Sequence, residues 1–440
     1  MVIPLGMDRK SIVAAMADAY KTLNPDSNFI PGETFISHAS KVVSGEEISY
    51  LSEAVLDGWF TAGRFCDEFE RKLQKYFGIR SASLVNSGSS ANLIAVSSLT
   101  SNVLGNKRIM AGDEVITVAT SFPTTVNPIL QVGAIPVFLD VEIPSYNIKI
   151  DELSSALTRK TKGVIIAHTL GNPFNLDVIT KFCTDNNLWL IEDNCDALGS
   201  TFQGKLTGTF GDLATLSFYP AHHITTGEGG AVLTKSPKLR VLVESFRDWG
   251  RDCYCLPGKD NTCLKRFEQQ HGNLPFGYDH KFVYSHIGYN LKMTDFQGAL
   301  GSAQMNKLPD FVHKRRDNWH KLLNLVKDLE QDFILPHEDP HTEPSWYGFA
   351  LTIRDSSKIS RDGLLRHLAD KKIGTRLLFA GDLTSQPSFK NKPFRVVGDL
   401  VNTKRIVKNS FWIGCWPGLR QEELEYMVDT IKLYVKFNTL

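Results

Sequence analysis

The chain has 440 residues, of which 42% are hydrophobic and 22% charged, enough to bury a large core and to form two domains of one α/β unit. A formal net charge of +1 gives no electrostatic footprint for nucleic acid or an acidic membrane surface. No run of about 18 apolar residues occurs and the opening MVIPLGMDRK lacks the apolar centre of a secretory leader, so the expected location is the cytoplasm, with no membrane partner.

Ile12, Ala15, Met16, Ala19 and Tyr20 recur at helical spacing and predict an amphipathic helix over residues 9–24. Residues 44–58, SGEEISYLSEAVLDG, open on a serine suited to cap a second helix. Short apolar runs then alternate with helical stretches: SASLV, EVITVA, IPVFLDV, GVIIAHT, LWLIED and LATLSFY. Such alternation predicts a mostly parallel sheet whose ligands sit beyond the carboxyl ends of its strands. From about residue 310 the pattern changes to a helix in KRRDNWHKLLNLVKDLEQDF, a strand in YGFALTIR, and helices in ISRDGLLRHLADKKI and EELEYMVDTIKLYVKF. The expected division is a large domain over residues 1–310 and a smaller α/β domain over 311–440.

Candidate chemistry gathers at three strand ends. LSFYPAHHITTGEGGAVLT, residues 216–234, places two apolar strands around a turn that offers Ser217, His222 and His223, with Gly227, Gly229 and Gly230 allowing close backbone approach to a bound group. WLIEDNCDALGS ends an apolar run on Glu192 and Asp193, where acidic side chains reach a cleft. NSGSSAN, residues 86–92, follows a strand and opens a helix, a setting in which free amides face an anion.

The seven cysteines form no disulfide framework by count or context. Cys195 is followed after 57 residues by Cys253, after one more by Cys255, and after seven by Cys263. Spacing alone leaves zinc, an iron–sulfur cluster or no metal open, because neither paired CxxC nor ferredoxin spacing is present. Arg251, Lys259, Lys265 and Arg266 supply positive charge near the last three thiols.

From about Trp59 into the C-terminal domain, these stretches resemble the nucleotide-sugar aminotransferase and dehydratase family, within the aspartate aminotransferase superfamily that uses pyridoxal phosphate. The resemblance implies an aspartate-aminotransferase-like α/β fold: a type I pyridoxal-phosphate-dependent transferase large domain with a mostly parallel sheet, a smaller C-terminal α/β domain, and assembly as a homodimer. It implies a phosphate site of Gly88, Ser89, Ser90 and Ser217, with Phe122 stacked on the cofactor ring and Asp193 at the pyridine nitrogen. Asn290, in YNLKMTDFQGALGSAQM, matches a position that reaches the phosphate of a neighbouring subunit. Trp59, Thr61, Gly63, His168, Asn172 and Arg376 match positions facing nucleotide, sugar or cofactor, and Asp382 stands where that family is expected to carry Asn.

Two segments depart from the usual pattern. The family hairpin reads SFHxxKxxxxGEGG, and its lysine bonds the cofactor; here SFYPAHH puts His222 at the lysine and Tyr219 at the first histidine. The usual EDxAHA is EDNCDA, with Asp196 replacing the histidine. Together with the cysteine spacing, these departures resemble the iron–sulfur 3-dehydrases of that family. That likeness implies noncovalent pyridoxamine 5′-phosphate, flanked by Asp196 and Tyr219, with His222 as the catalytic base. It also implies a [2Fe-2S] cluster on Cys195, Cys253, Cys255 and Cys263, the last three within an insertion at about residues 251–285.

The implied reaction deoxygenates C3 of a CDP-linked 4-keto-6-deoxyhexose towards the 3,6-dideoxyhexoses of lipopolysaccharide. An imidazole, with an unperturbed pKa of about 6.5, is suited to take the cofactor C4′ proton. The C3 hydroxyl then leaves, and electrons arrive singly through the cluster from an NADH-dependent iron–sulfur flavoprotein reductase. A dTDP-linked substrate, a cluster-free GDP-sugar 3-dehydratase, and a noncatalytic cofactor-binding or redox-sensing homologue are the alternatives left open.

Overall fold

The computed structural model describes residues 7–25, 28–255 and 259–439. Residues 1–6 of the stretch read for a leader, and 256–258 of the cysteine-rich segment, lie outside the described residues. The chain forms β1 (Ser81–Val85), β2 (Glu114–Val118), β3 (Ile135–Leu139), β4 (Thr161–Ala167), β5 (Trp189–Asp193), the short β6 (Thr201–Phe202) and β7 (Lys205–Leu206), then β8 (Leu213–Ser217) and β9 (Gly230–Thr234). After the cysteine-rich segment come β10 (Phe333–Ile334), β11 (Thr342–Glu343), β12 (Gly348–Ile353), β13 (Thr375–Arg376), β14 (Arg395–Val396) and β15 (Ser410–Gly414).

Eight strands make the central sheet in the order β1-β9-β8-β5-β4-β2-β3-β14. All pairings from β8 to β14 are parallel, and only β9 runs against its neighbours. This is the aspartate-aminotransferase-like arrangement that the resemblance implies. Every residue of β1, β2, β5, β8 and β9 is buried, because helices cover both faces and leave no side of the sheet for polar alternation. Ile94, Val126 and Leu242, from helices Gly88–Ser98, Pro123–Gln131 and Pro237–Arg247, pack one face. Ile116 and Val164 pack the other with Leu176 and Ile179 of helix Leu176–Asp185.

The first two expected helices are Arg9–Leu23 and Gly45–Asp57, the second closed by a Ser44–Glu47 capping box. The helix expected around residue 314 begins earlier, at Asp295, and runs unbroken to Leu325, so residue 310 falls within it. A second sheet, β10-β12-β15-β13, packs with that helix around Trp319, Phe349 and Phe411. Early and late segments interleave in space. Ile36 joins this second core and bridges to Ile373, while β14 returns to extend the central sheet beside β3. Among the described residues, no helix is long and apolar enough to cross a membrane.

One long-range cap fixes how helix Arg64–Phe77 meets the long helix. Gly63, its N-cap, has no side chain to accept the first amides. The buried Asp295 Oδ1 accepts them instead, from Gly63 at 2.9 Å, Phe65 at 3.0 Å and Cys66 at 2.8 Å. Its negative charge also lies at the amino ends of both helices, where their dipoles favour it. Asp295→Ala is expected to cost about 2–3 kcal/mol by leaving buried amides unpaired, lowering the urea midpoint, and Asp295→Asn to restore part of the loss.

Candidate active site

The carboxyl ends of β1, β2, β4, β5 and β8 open on one cavity of about 670 Å³, a volume suited to a small-molecule ligand. At its floor, Ser87 caps helix Gly88–Ser98 by accepting the Ser90 amide at 3.0 Å. The first-turn amides of Gly88 and Ser89 therefore lie at the cavity wall without intrahelical acceptors. Only glycine fits at 88, since a Cβ there would stand 2.5 Å from Ser217 Cβ. Ser217 lines the same corner. Ser90, expected at the phosphate, turns its hydroxyl to Ser87 at 3.0 Å, and the wall is formed instead by Ser87, Gly88, Ser89 and Asn92.

Asp193 also lines this cavity and is only 5% exposed. Its Oδ2 accepts from Asn92 Nδ2 at 2.9 Å and Thr125 Oγ1 at 2.6 Å, and its Oδ1 from the Cys195 amide at 3.2 Å. Asn92 Oδ1 in turn accepts from Thr215 at 2.7 Å. Sequence reasoning missed Asn92, Thr125 and Thr215. The signal available was periodicity, because Asn92 lies one helical turn beyond Gly88 and Thr215 shares a strand face with Ser217.

Glu192 points the other way, as strand alternation requires. Its carboxylate accepts from the amides of Gly208, Phe210 and Gly211 at 2.7, 2.8 and 2.7 Å, and lies 3.1 Å from His168 Nε2. Burial opposes that charge, but His168 and the amides outweigh it and hold the carboxyl below its usual pKa. His168, stacked on Phe174 at 4.1 Å, and the buried Asn172 are bonded within the protein rather than facing the cavity. Nor do Gly229 and Gly230 serve a ligand: a Cβ at Gly230 would meet Ser87 O at 2.5 Å, and one at Gly229 would meet Thr226 Oγ1.

The paired histidines separate. Nε2–H of His223 donates to Ser345 O at 2.7 Å, and burial followed by the nearby Arg315 pushes its pKa far below the usual value, so it is a neutral structural group. His222 lines the cavity, with Nδ1 3.3 Å from Asp196 Oδ1. That contact lacks hydrogen-bond geometry, and among the described residues His222 Nδ1 has no hydrogen-bond partner. The backbone of His222 is fixed more firmly: its amide donates to Tyr219 O at 2.9 Å and its carbonyl accepts from the buried Arg315 at 3.1 Å.

Phe122 and Tyr219, each about half exposed, line the cavity together with Asp196 and Cys195. Lys41 and Arg376 add cations at its wall. His38 stays neutral there, its pKa pushed down to about 4 by burial and then by Arg376. Asp382 does not reach the cavity: it is buried and caps Leu383–Ser385, accepting from the Thr384 amide at 2.9 Å and the Ser385 hydroxyl at 2.7 Å. Asn290 is exposed outside the cavity wall, its Oδ1 accepting from Lys292 at 2.6 Å.

The structure brings Cys253, Cys255 and Cys263 around a second, small cavity that His280 and Arg266 also line. Cys195 faces the central cavity instead. Among the described residues, no three Cys, His, Asp or Glu side chains are arranged to hold a metal ion. Three of the four spaced thiols therefore share one small cavity and Cys195 lies apart from them, so the described side chains do not form the four-cysteine ligand set that the resemblance implies. A flat phosphorylated heteroaromatic fits the central cavity throughout, with amides and hydroxyls for its phosphate, a ring for its face, and a carboxylate for a protonated ring nitrogen.

Such a sheet with such a cavity at its strand ends defines a type I pyridoxal-phosphate-type fold. Residues 42–432 match the DegT/DnrJ/EryC1/StrS aminotransferase family, and the chain belongs to it. It is 52% identical to the lipopolysaccharide biosynthesis protein RfbH of Salmonella typhimurium, over 96% of both chains. It is 47% identical to the dTDP-4-dehydro-2,6-dideoxy-D-glucose 3-dehydratase of Saccharopolyspora spinosa, over 99% of this chain and 93% of that one. A solved structure of E. coli GDP-4-keto-6-deoxy-D-mannose-3-dehydratase with bound hydrated PLP superposes with a TM-score of 0.81 at 29% identity, covering 90% of this chain and 99% of the other.

The four thiols differ in ionisation, and burial raises the pKa of Cys253. Burial, then the Asp193 carboxylate, pushes Cys195 far above the usual thiol pKa. The His280 contact and the Lys265 amide lower Cys263; at Cys255 burial works against the thiolate, but hydrogen bonds from Thr262 outweigh it. A lowered pKa means more thiolate at neutral pH, and the thiolate is the nucleophile. In metal-free protein near neutral pH, iodoacetamide should therefore label Cys263 and Cys255 well before Cys195, as read by mass spectrometry of the labelled peptides.

Proposed function

We propose that the chain is a pyridoxamine-phosphate-dependent nucleotide-sugar 3-dehydrase that removes the C3 hydroxyl of a CDP-linked 4-keto-6-deoxyhexose. The observation that carries this reading is His222. It stands where the family resemblance expects lysine, lines the cavity, and contacts Asp196. An imidazole does not bond the cofactor covalently as lysine does, but it can take and hold a proton at neutral pH.

Pyridoxamine 5′-phosphate, when bound, supplies an amine that condenses with the 4-keto carbon and a ring that accepts electrons. Ser87, Gly88, Ser89 and Ser217 hold its phosphate, Phe122 covers one ring face, and Asp193 keeps the ring nitrogen protonated. Asp196 favours a proton on Nδ1 of His222, leaving Nε2 as the base for the proton at C4′. Lys41 and Arg376 receive the sugar diphosphate. Tyr219 closes the side beside His222. A second copy of the chain brings the exposed Asn290 to the phosphate, completing a homodimeric site.

We further infer that Cys253, Cys255 and Cys263, with Cys195 as the fourth ligand, hold a [2Fe-2S] cluster supplied with electrons by an NADH-dependent iron–sulfur flavoprotein reductase. The cluster supplies single electrons when bound, and the cysteine spacing and the shared cavity of three thiols support it. A cluster-free 3-dehydratase is the second reading, favoured by the separate position of Cys195 in the central cavity.

The test begins with anaerobic purification, iron and sulfide analysis, and turnover of CDP-, dTDP- and GDP-linked 4-keto-6-deoxyhexoses by the pyridoxamine-phosphate-loaded enzyme with a reductase. About two irons and two sulfides per chain are expected, with C3 deoxygenation fastest on the CDP sugar. Hydroxyl loss without iron or sulfide would establish the second reading, and failure to bind pyridoxamine phosphate would defeat both. His222→Asn should lower turnover by at least about 100-fold while cofactor absorbance persists. Asp193→Asn should weaken cofactor binding, measured by equilibrium titration, and Cys255→Ala should lose the iron and the reductive turnover while retaining the cofactor.

A further inference from the structure

An aromatic column from the smaller sheet ends on His222. Tyr347 directly precedes β12 and Trp412 lies on the adjacent β15, where Ala350 pairs with Trp412. Both side chains line the central cavity. The imidazole of His222 is 5.1 Å from the Tyr347 ring at 36°, and Tyr347 is 5.4 Å from Trp412 at 55°. The column is anchored behind, since Trp412 Nε1 donates to Leu377 O at 3.1 Å and the Tyr347 amide donates to Leu170 O at 2.8 Å. Arg315, fully buried in the long helix, ties the two partners together. Its Nη2 donates to the carbonyl of His222 at 3.1 Å, and its Nη1 reaches the carbonyl of Tyr347 at 3.4 Å.

These contacts answer a need that Asp196 leaves unmet. A 3.3 Å approach without hydrogen-bond geometry draws His222 towards Asp196 but does not fix the plane of its ring. A second ring packed on the imidazole does fix it. We propose that Tyr347 is a positioning residue for His222, holding the imidazole plane through its ring rather than through its hydroxyl. The contact Tyr347 makes with the imidazole is through its ring, at 5.1 Å and 36°, and burial, then the Asp196 carboxylate, pushes the phenol above its usual pKa. The proposal rests on the reading of His222 as the base.

The experiment compares wild type, Tyr347→Phe, Tyr347→Leu, Tyr347→Met and His222→Asn in the pyridoxamine-phosphate-loaded enzyme, with the 4-keto sugar as substrate. It reads kcat, KM and the exchange of the cofactor C4′ hydrogen with solvent deuterium, with cofactor absorbance as the check on the site. A base turned out of line costs rate more than affinity. Tyr347→Leu and Tyr347→Met should therefore lose about 10- to 100-fold in kcat and exchange with KM within about threefold, and Tyr347→Phe should stay within about threefold of wild type throughout. A comparable loss in Tyr347→Phe would assign the role to the hydroxyl and overturn the proposal. So would wild-type kcat in Tyr347→Leu and Tyr347→Met, or a failure of both to give folded holoenzyme, which would make the ring part of the fold alone. Wild-type turnover in His222→Asn would instead defeat the base assignment itself.

Discussion

A carboxyl group buried at the end of a strand must find donors or cost several kcal/mol of lost hydration. Asp193 finds them in three places: helix Gly88–Ser98 through Asn92, the segment after β2 through Thr125, and its own turn through the Cys195 amide. Thr215 of β8 completes the ring by donating to Asn92. Satisfying one acid thus fixes the relative positions of β5, β8 and two helices. Because Asn92 is one turn from Gly88, the same bonds tie Asp193 to the turn that opens this helix.

Much of this was legible in the chain. The six strands expected between residues 81 and 217 are present because each is a short apolar run stopped by Gly, Ser, Asn or Asp, and a strand covered by helices on both faces needs no alternation. Gly88, Ser89, Phe122, Asp193, Ser217, Tyr219 and His222 all reach the cavity wall, since a strand-end motif carries its own direction. What was not legible depends on partners far away in sequence. Asp295 capping residues 63–66, β14 pairing with β3, and Tyr347 meeting His222 leave no local trace. Glu192 and His168 were misread for another reason. Their residue types suit a cleft, and only the two-residue period of the strand shows that Glu192 must point away from the side that Asp193 faces.

The cysteine-rich segment sits between these cases. Its turn residues announce a loop, and three of its thiols do share a cavity. Their ionisation follows from neighbours that spacing does not identify, namely His280 at 3.7 Å from Cys263 and Thr262 at 3.0 Å from Cys255. His280 is in turn anchored by Asp252 at 2.7 Å. Cys195 differs because it is placed by the Asp193 turn, so its surroundings are those of the central cavity. One cysteine pattern therefore spans two settings: His280 lowers Cys263 and Thr262 lowers Cys255 against burial, whereas burial raises Cys253 and, with the Asp193 carboxylate, Cys195.

Replacing lysine by histidine at position 222 changes what the surrounding protein must provide. A lysine reaches its target on a flexible four-carbon stem and tolerates imprecise walls. An imidazole is short and planar, and it acts as a base only along the direction of one nitrogen lone pair, so a loop position is adequate only if the loop is held from several sides. The Tyr219 carbonyl, Asp196, Arg315 and Tyr347 come from the loop itself, the β5 turn, the long helix and the smaller sheet. Their convergence ties His222 to the C-terminal elements as well as to its own loop. Because His222 is held by residues on both sides of the cavity, displacing the smaller sheet would disturb its ring as well as the cavity wall.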